Sequence, residues 1–124
     1  MLDTILIVDD SKDYAALLED RLKAEGFGTL TAYDGVSALQ AARSQKPDLI
    51  LLDILMPGVG GTEVRRELAA DPATKDIPIV FLTGLRAPTS SKRPSIDGVK
   101  TIGKSKDFRE LLNTIRELLA KSVR

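Results

Sequence analysis

Residues 4–10 have the sequence Thr-Ile-Leu-Ile-Val-Asp-Asp, a short apolar run that ends in two adjacent carboxylates. A second run, Leu-Ile-Leu-Leu at 49–52, is followed by Asp53, and a third apolar run occupies residues 79–82. Continuous apolar runs without alternation are typical of strands that are buried on both faces, as in a parallel sheet. These three runs therefore predict the central strands of an α/β fold.

Helical patterns separate the strands along the chain. We predict four helices, at residues 11–25 with Ser11 as the N-cap, 35–45, 62–70 and 107–121. Two weaker strands are expected, at 27–32 on an edge of the sheet and at 101–103. Alternating strands and helices form right-handed βαβ units, so we expect one doubly wound domain over residues 1–124 with helices on both faces of the sheet. Leu17 and Leu18 are expected in its core.

Residues 86–99 interrupt this alternation. A helix is expected between the fourth and fifth parallel strands, but the segment contains Pro88, Pro94 and three serines. A proline inside a helix costs about 3 kcal/mol. The larger apolar residues of the segment, Ile96 and Val99, form no stripe that would offset this cost. We therefore predict a loop, so that the fourth helix of the doubly wound fold is degraded or missing.

The composition excludes several classes of function. The chain has 18 basic and 18 acidic residues, no histidine and no cysteine, which excludes thiolate zinc sites, imidazole bases and disulfides. Any metal must be held by oxygen, which points to Mg²⁺, Mn²⁺ or Ca²⁺. The zero net charge argues against direct binding of nucleic acid. No apolar run approaches the roughly 20 residues of a membrane span, so we expect a cytoplasmic protein without membrane contact.

Polar residues follow the ends of the predicted strands. Parallel strands end at the same edge of a sheet, which is where open α/β sheets bind their ligands. Clustered carboxylates there would repel each other, and a hard cation relieves this repulsion. A carboxylate can also act as a nucleophile and form an aspartyl phosphate, with a lysine and a hydroxyl to stabilise the transferred group. The candidate residues are Asp9, Asp10, Asp53, Thr83 and Lys104.

The order and spacing of these residues resemble those of response-regulator receiver domains in two-component signalling. The resemblance covers nearly the whole chain and includes Ile-Leu-Ile-Val-Asp-Asp at 5–10, Asp-Ile-Leu-Met-Pro at 53–57 with Gly61 beyond, Phe-Leu-Thr-Gly at 81–84, and Lys104. It implies the flavodoxin-like fold of the chemotaxis receivers, with five parallel strands in the order 2-1-3-4-5.

The resemblance also implies a role for each acidic residue. Asp53 matches the phosphoacceptor. Asp9 and Asp10 match the pair that binds Mg²⁺, for which Mn²⁺ can substitute, with Asp10 as the direct ligand and Asp9 acting mainly through water. Asp53 itself and the backbone carbonyl of Leu55 would complete the ligands that the protein supplies.

Thr83 and Lys104 match the residues that hydrogen-bond and pair with the phosphoryl group. The implied donor is a sensor histidine kinase or a histidine phosphotransfer protein. The signal would leave through altered binding to a downstream protein that the sequence does not name. Such a domain is not an enzyme in the usual sense, because it catalyses only its own phosphorylation and dephosphorylation. The resemblance further implies kinase contacts at Ser11, Tyr14, Ala15, Leu18 and Ser105.

Three departures from the family pattern concern the output side of the domain. Ser105 stands where proline usually follows the lysine, Thr101 stands where the family often has a tyrosine or phenylalanine switch, and residues 86–99 lack a helical pattern. We therefore expect the phosphorylation chemistry to be retained and the usual output mechanism to be altered. A module of the same fold that binds partners independently of phosphate is the alternative.

Two further questions stay open at this level. The sequence Asp9-Asp10-Ser11 does not match the hydrophobic-Asp-x-Asp motif of haloacid-dehalogenase-like phosphatases, so that class is disfavoured. The oligomeric state, and whether this is a stand-alone receiver or part of a longer regulator, are not decided by these residues.

Overall fold

The fold is known from a computed structural model, which describes residues 2–84, 95–96, 99–104 and 107–121. The strands are β1 (Thr4–Val8), β2 (Gly28–Ala32), β3 (Leu49–Asp53), β4 (Ile79–Thr83), β5 (Ser95–Ile96) and β6 (Val99–Gly103). The helices are α1 (Lys12–Ala24), α2 (Gly35–Gln45), α3 (Gly61–Ala70) and α4 (Phe108–Lys121). The sheet order is β2-β1-β3-β4-β6-β5.

The predicted fold class is confirmed. Five strands are parallel and run in the order β2-β1-β3-β4-β6, which is the predicted order 2-1-3-4-5. The weak strand at 27–32 does lie on an edge. The last parallel strand is longer than predicted, because it begins at Val99 and not at Thr101.

A sixth strand was not predicted. Ser95–Ile96 pairs antiparallel with Lys100 and Val99 of β6 and forms the other edge of the sheet. A strand of two residues is too short to show a periodic pattern of apolar residues, so the sequence does not predict it. Of the segment predicted as a loop in place of the fourth helix, residues 86–94, 97 and 98 lie outside the described residues.

Side chains of the strands alternate between two hydrophobic clusters, one on each face of the sheet. Ile5, Ile7 and Leu51 pack with α1 and α4 on one face. Leu6 and Leu52 pack with α2 and α3 on the other. The sheet is therefore covered on both sides, which is why its central strands are continuously apolar.

Helix α1 shows both a successful and a wrong prediction. Ser11 is its N-cap, and the Ser11 hydroxyl accepts a hydrogen bond from the backbone N–H of Tyr14 at 3.3 Å. Leu18 is buried as predicted, but Leu17 is 48% exposed and does not belong to the core. Leu17 lies on the outer side of the helix, because the face that packs against the sheet is formed by Ala15, Leu18 and Leu22. In the described part of the chain, no helix is both long and apolar enough to cross a membrane.

Candidate functional site

Three carboxylates meet where β1 and β3 end. Asp9, Asp10 and Asp53 each place a carboxylate oxygen within 4.8 Å of the others. β1 and β3 are adjacent and in register, with Val8 opposite Leu52, so the residues that follow them are neighbours. Asp9 and Asp53 are buried, whereas Asp10 is exposed. We call this end of the parallel strands, at Asp9, Asp53, Thr83 and Lys104, the carboxyl edge.

Asp9 has two differently compensated oxygens. Its Oδ1 accepts a hydrogen bond from the backbone N–H of Ser11 at 2.9 Å, which links the carboxylate to the start of α1. Its Oδ2 is fully buried and has no hydrogen-bond donor in normal geometry among the described residues. The Lys104 Nζ lies 2.6 Å from Oδ2, so the compensation there is that of an ion pair.

Lys104 connects the acidic residues to the neighbouring strand. Its Nζ lies 3.6 Å from Asp53 Oδ2 in addition to its contact with Asp9. Its backbone N–H donates to the carbonyl oxygen of Thr83 at 2.8 Å. The structure therefore brings Asp9, Asp10, Asp53 and Lys104 together, and it places the buried Thr83 at the same edge through the backbone of Lys104.

Asp53 is the carboxylate whose ionisation is most disturbed. Its pKa is raised to about 6, chiefly by burial and next by the negative charge of Asp9. Lys104 opposes this rise, the side chain of Asp10 adds to it through a hydrogen bond, and the backbone N–H of Leu55 lowers it. At neutral pH this carboxyl group is therefore mostly ionised, with a larger protonated fraction than an ordinary aspartate has.

The loop after Asp53 is held close to the site by Gly61. A Cβ on Gly61 would meet the carbonyl oxygen of Asp53 and would lie 2.9 Å from the Cα of Ile54. The backbone N–H of Gly61 donates to the Ile54 carbonyl at 3.0 Å. Glycine is therefore needed here for close approach of the backbone. The N–H of Leu55 lies 3.4 Å from Asp53 Oδ1, and its side chain points into solvent.

The residues at the carboxyl edge fit a hard divalent cation. The candidate ligand atoms are carboxylate oxygens of Asp9, Asp10 and Asp53, and Mg²⁺ and Mn²⁺ prefer oxygen ligands. Two of these carboxylates, on Asp9 and Asp53, are buried. Among the described residues, Lys104 supplies the one ammonium near the buried Asp9 Oδ2, so the three carboxylates there carry more negative charge than these residues compensate. A bound cation would lower the pKa of Asp53 by the same physics that now raises it.

One residue of the site was not predicted as part of it. The Tyr14 ring centroid lies 4.7 Å from Lys104 Nζ. Burial, followed by the charges of Asp9 and Asp53, raises the pKa of Tyr14 to about 12. The family resemblance had indicated Tyr14 only as a kinase contact. Its position could have indicated that it lies near the site, because Tyr14 follows Asp10 by four residues, about one helical turn.

The model of the response regulator receiver domain family matches residues 5–116. This chain belongs to that family. PleD, a response regulator of Caulobacter vibrioides, is 48% identical over 81 residues, which is 65% of this chain and 18% of PleD. MtrA of Mycolicibacterium paratuberculosis, named a DNA-binding response regulator, is 46% identical over 83 residues, 67% of this chain and 36% of MtrA. This receiver domain thus spans about a fifth and about a third of the lengths of these relatives.

Solved structures agree with the family and the fold. A CheY-like receiver domain protein from Methanospirillum hungatei has a TM-score of 0.85 and 26% identity, and the match covers 98% of this chain and 97% of that one. TrrA of Thermotoga maritima in complex with Mg(2+)-BeF has a TM-score of 0.81 and 34% identity, with 94% and 99% of the chains covered. TrrA in complex with the histidine kinase ThkA scores 0.81 at 34% identity, with 95% and 99% covered.

Family membership places this chain among signalling modules. Receiver domains are signalling modules that pair with histidine kinases, are phosphorylated by them and use Mg²⁺ at an acidic pocket. The acidic cluster of this receiver domain is Asp9, Asp10 and Asp53.

The expected kinase contacts are only partly accessible. Ala15 and Leu18 are buried in the core against the sheet, so neither is available to a partner in this conformation. Ser11 is exposed and Tyr14 is half-buried. Ser105 lies outside the described residues. Any kinase contact made through α1 must therefore use the outer side of this helix.

Proposed function

We propose that this receiver domain accepts a phosphoryl group on Asp53 from the phosphohistidine of a sensor kinase or a histidine phosphotransfer protein, in a Mg²⁺-dependent reaction. One observation carries the proposal. Asp53 is a buried carboxylate with a raised pKa, flanked by a second buried carboxylate on Asp9 and by the Lys104 ammonium. A purely structural acid would be paired more completely, because unbalanced buried charge is costly.

The reaction needs an ionised nucleophile and positive charge around the transferred group. A carboxylate oxygen of Asp53 attacks phosphorus while the P–N bond of the phosphohistidine breaks. The bonding electron pair returns to the imidazole, which leaves as a neutral ring after it takes up one proton. Lys104 and the Thr83 hydroxyl stabilise the negative oxygens of the phosphoryl group.

The metal ligands in this proposal are Asp10, Asp53 and the backbone carbonyl of Leu55, with Asp9 acting mainly through water. Mg²⁺, or Mn²⁺ in its place, supplies charge that offsets the phosphoryl oxygens when it is bound. The ligand set is consistent with the mutual approach of the three carboxylates to within 4.8 Å.

We propose that residues 1–124 form one receiver domain and that it acts in the cytoplasm. Its output is altered binding to a downstream protein. It is not an enzyme for any other substrate, and we propose no direct nucleic-acid binding for it. The DNA binding in the name of MtrA belongs to a protein of which this chain spans 36%.

Intact-protein mass after incubation with acetyl phosphate and Mg²⁺ tests the chemistry. We expect one added phosphoryl group, which EDTA prevents and which is absent from Asp53→Asn. Thr29→Ala serves as a control, because Thr29 lies on β2 and its hydroxyl donates to Glu19 at 2.9 Å, away from the acidic cluster. Undiminished phosphorylation of Asp53→Asn would refute the assignment of the phosphoacceptor. An adduct that forms equally well in EDTA would refute the metal dependence.

A second candidate function is partner binding that does not depend on phosphate. Thr101 supports it, because this small side chain lies opposite Phe81 in the sheet, and its hydroxyl contacts the Val99 carbonyl at 3.4 Å. A larger aromatic switch is absent from that position. Equal partner affinity before and after phosphorylation would favour this candidate, and a phosphate-dependent change in affinity would exclude it.

A further inference from the structure

The Lys104 ammonium has partners on three sides. Asp9 Oδ2 lies 2.6 Å from Nζ and Asp53 Oδ2 lies 3.6 Å from it. On another side is the ring of Tyr14, whose centroid lies 4.7 Å from Nζ. The side chain of Lys104 is 21% exposed, so these three groups replace most of the water around the charge.

The contact with Tyr14 has the geometry of a cation–π interaction. An ammonium within about 6 Å of a ring centroid is attracted by the negative face of the ring, and the attraction grows when water is excluded. The Tyr14 hydroxyl stays protonated at neutral pH, because burial and the nearby carboxylates raise its pKa to about 12. The ring therefore acts through its face and carries no charge of its own.

The backbone ties Tyr14 to the same carboxylate that Lys104 contacts. Asp9 Oδ1 accepts from the N–H of Ser11 at 2.9 Å, and the Ser11 hydroxyl accepts from the N–H of Tyr14 at 3.3 Å. Asp9 thus orients the first turn of α1 with one oxygen and pairs with Lys104 through the other. This connection fixes the ring with respect to the ammonium, although the two residues are far apart in sequence.

We propose that Tyr14 is a positioning residue, whose ring holds the Lys104 ammonium at Asp9 and Asp53 and keeps water away from it. Its consequence for phosphorylation rests on the function proposed above. With the ring in place, the ammonium stays at the carboxyl edge whether its anion is a carboxylate or a phosphoryl group on Asp53. Without the ring, Lys104 gains water and freedom, and fewer molecules hold it beside the nucleophile.

A structural role is the competing explanation. Tyr14 also lines a cavity of about 150 Å³ between α1, α4 and the ends of β4 and β6, together with Phe108 and Leu82. Phe108 lines the same cavity and stacks with Arg21, whose Cζ lies 5.4 Å from the ring centroid. Phe108→Leu therefore makes a matched control, because it removes an aromatic ring from the same cavity without touching the Tyr14–Lys104 contact.

The first test does not depend on phosphorylation. Lysine amines are labelled with limiting acetic anhydride, and the modification of Lys104 is compared with that of Lys23, which is 58% exposed on the same helix as Tyr14. The reagent must reach the amine, and the Tyr14 ring covers one side of the Lys104 ammonium and holds it in place. We expect Tyr14→Leu to raise the Lys104-to-Lys23 ratio about two- to fivefold, as a cation–π contact of 0.5–1 kcal/mol implies. Tyr14→Phe should restore the wild-type ratio, and Phe108→Leu should not change it.

An unchanged ratio in folded Tyr14→Leu would overturn the proposal, and so would an equal rise in Phe108→Leu. If Tyr14→Leu does not fold, phenylalanine with increasing ring fluorination is placed at position 14, which weakens the face of the ring while keeping its shape. A stepwise rise of the ratio with fluorination supports the proposal, and a constant ratio refutes it.

The second test measures phosphorylation by acetyl phosphate with Mg²⁺, so that no kinase contact is involved. We expect Tyr14→Leu to slow the reaction severalfold and Tyr14→Phe to restore it. In a Lys104→Met background Tyr14→Leu should have no further effect, because the group it positions is gone. An equal slowing in both backgrounds would overturn the positioning role.

The two tests separate this inference from the proposed function. If the wild-type protein accepts no phosphate, the proposed function fails, while the labelling ratio still decides whether Tyr14 holds Lys104. If phosphorylation proceeds and neither test responds to Tyr14→Leu, the proposed function stands and the inference fails.

Discussion

The apolar residues inside β1 and β3 are buried to nearly the same degree as the carboxylates at the ends of these strands, but the two sets are opposite in chemistry. Ile7 and Val8 have no exposed surface, and neither does Asp9, the next residue along the chain. Leu52 is fully buried and Asp53 is 3% exposed. Burial of the apolar residues stabilises the fold, whereas burial of two neighbouring carboxylates opposes it. The domain thus accepts a local cost in stability at the place where a nucleophile and a cation are required.

The two regions also differ in what compensates for their burial. The apolar interior needs only close packing by helices on both faces. Within the part of the chain that the structure describes, the carboxyl edge is balanced by the ammonium of Lys104 and by backbone N–H groups of Ser11 and Leu55. This balance is incomplete, as the raised pKa of Asp53 indicates. Truncation of a buried apolar side chain should therefore lower stability, whereas neutralisation of the Asp53 carboxylate should raise it.

The largest effect is expected in the apolar interior. Leu51→Ala should lower the free energy of unfolding by about 2–5 kcal/mol, because it leaves a cavity in a fully packed site. Urea denaturation measures this change. Leu55→Ala is the matched control, since its side chain is 59% exposed, and it should cost less than about 1 kcal/mol. Equal losses in the two variants would contradict the comparison.

The opposite sign is expected at the carboxyl edge. Asp53→Asn should stabilise the protein at pH 7 without Mg²⁺, because the amide is neutral like the protonated acid and does not repel Asp9. A folded pKa of about 6 against 3.8 in the unfolded chain corresponds to roughly 1–3 kcal/mol.

The pH dependence follows from the same shift. The folded pKa of Asp53 is raised, so its contribution to stability is fully present below about pH 4 and is lost as pH rises through about 6. The difference in unfolding free energy between Asp53→Asn and wild type should therefore grow from pH 4 to pH 7. Mg²⁺ should shrink it by favouring the ionised carboxylate of the wild type. A difference that does not vary with pH would show that Asp53 is not perturbed.

Gly61→Ala should have an intermediate effect. The added Cβ meets the backbone of Asp53 and Ile54, which cannot yield as a flexible side chain does, so a loss of about 1–3 kcal/mol is expected. Because the loop after Asp53 must shift, phosphorylation should also slow. Gly84→Ala is the control for stability, as a Cβ there meets no atom of the described residues within 4 Å. Thermal unfolding of both variants checks the difference.

The smallest effect is expected for an ion pair on the surface. Arg43 Nε lies 2.9 Å from Asp71 Oδ2, and both side chains are partly exposed. Arg43→Gln should cost no more than about 0.5 kcal/mol, because water screens such pairs. Lys104→Met should lower the free energy of unfolding by more at the same pH. It leaves the buried carboxylates of Asp9 and Asp53 without the ammonium that pairs with them. If the surface variant had the larger effect, burial would not be what distinguishes the carboxyl edge.

Much of the fold could be predicted because local patterns specify it. β1 and α2 have the predicted bounds, since an apolar run bounded by charge and a helix that begins after the capping Asp34 are both local signals. The two-residue β5 could not be predicted, because its formation depends only on pairing with β6. Leu17 was placed wrongly for a related reason: its pattern is compatible with the core, and only the packing of α1 on the sheet turns it outward.

The amino-acid sequence by itself indicated a parallel α/β sheet and the candidate residues Asp9, Asp10, Asp53, Thr83 and Lys104, because apolar runs that end in polar residues are typical of both. The strand order followed from the resemblance of these motifs to the receiver family. Only the tertiary structure decided how these residues act on one another. The pKa of Asp53 depends on Asp9 from another strand, and Lys104 meets Tyr14 across ninety positions of the chain. Coulomb and cation–π interactions depend on distance in space and on the exclusion of water, and neither is a local property of the sequence.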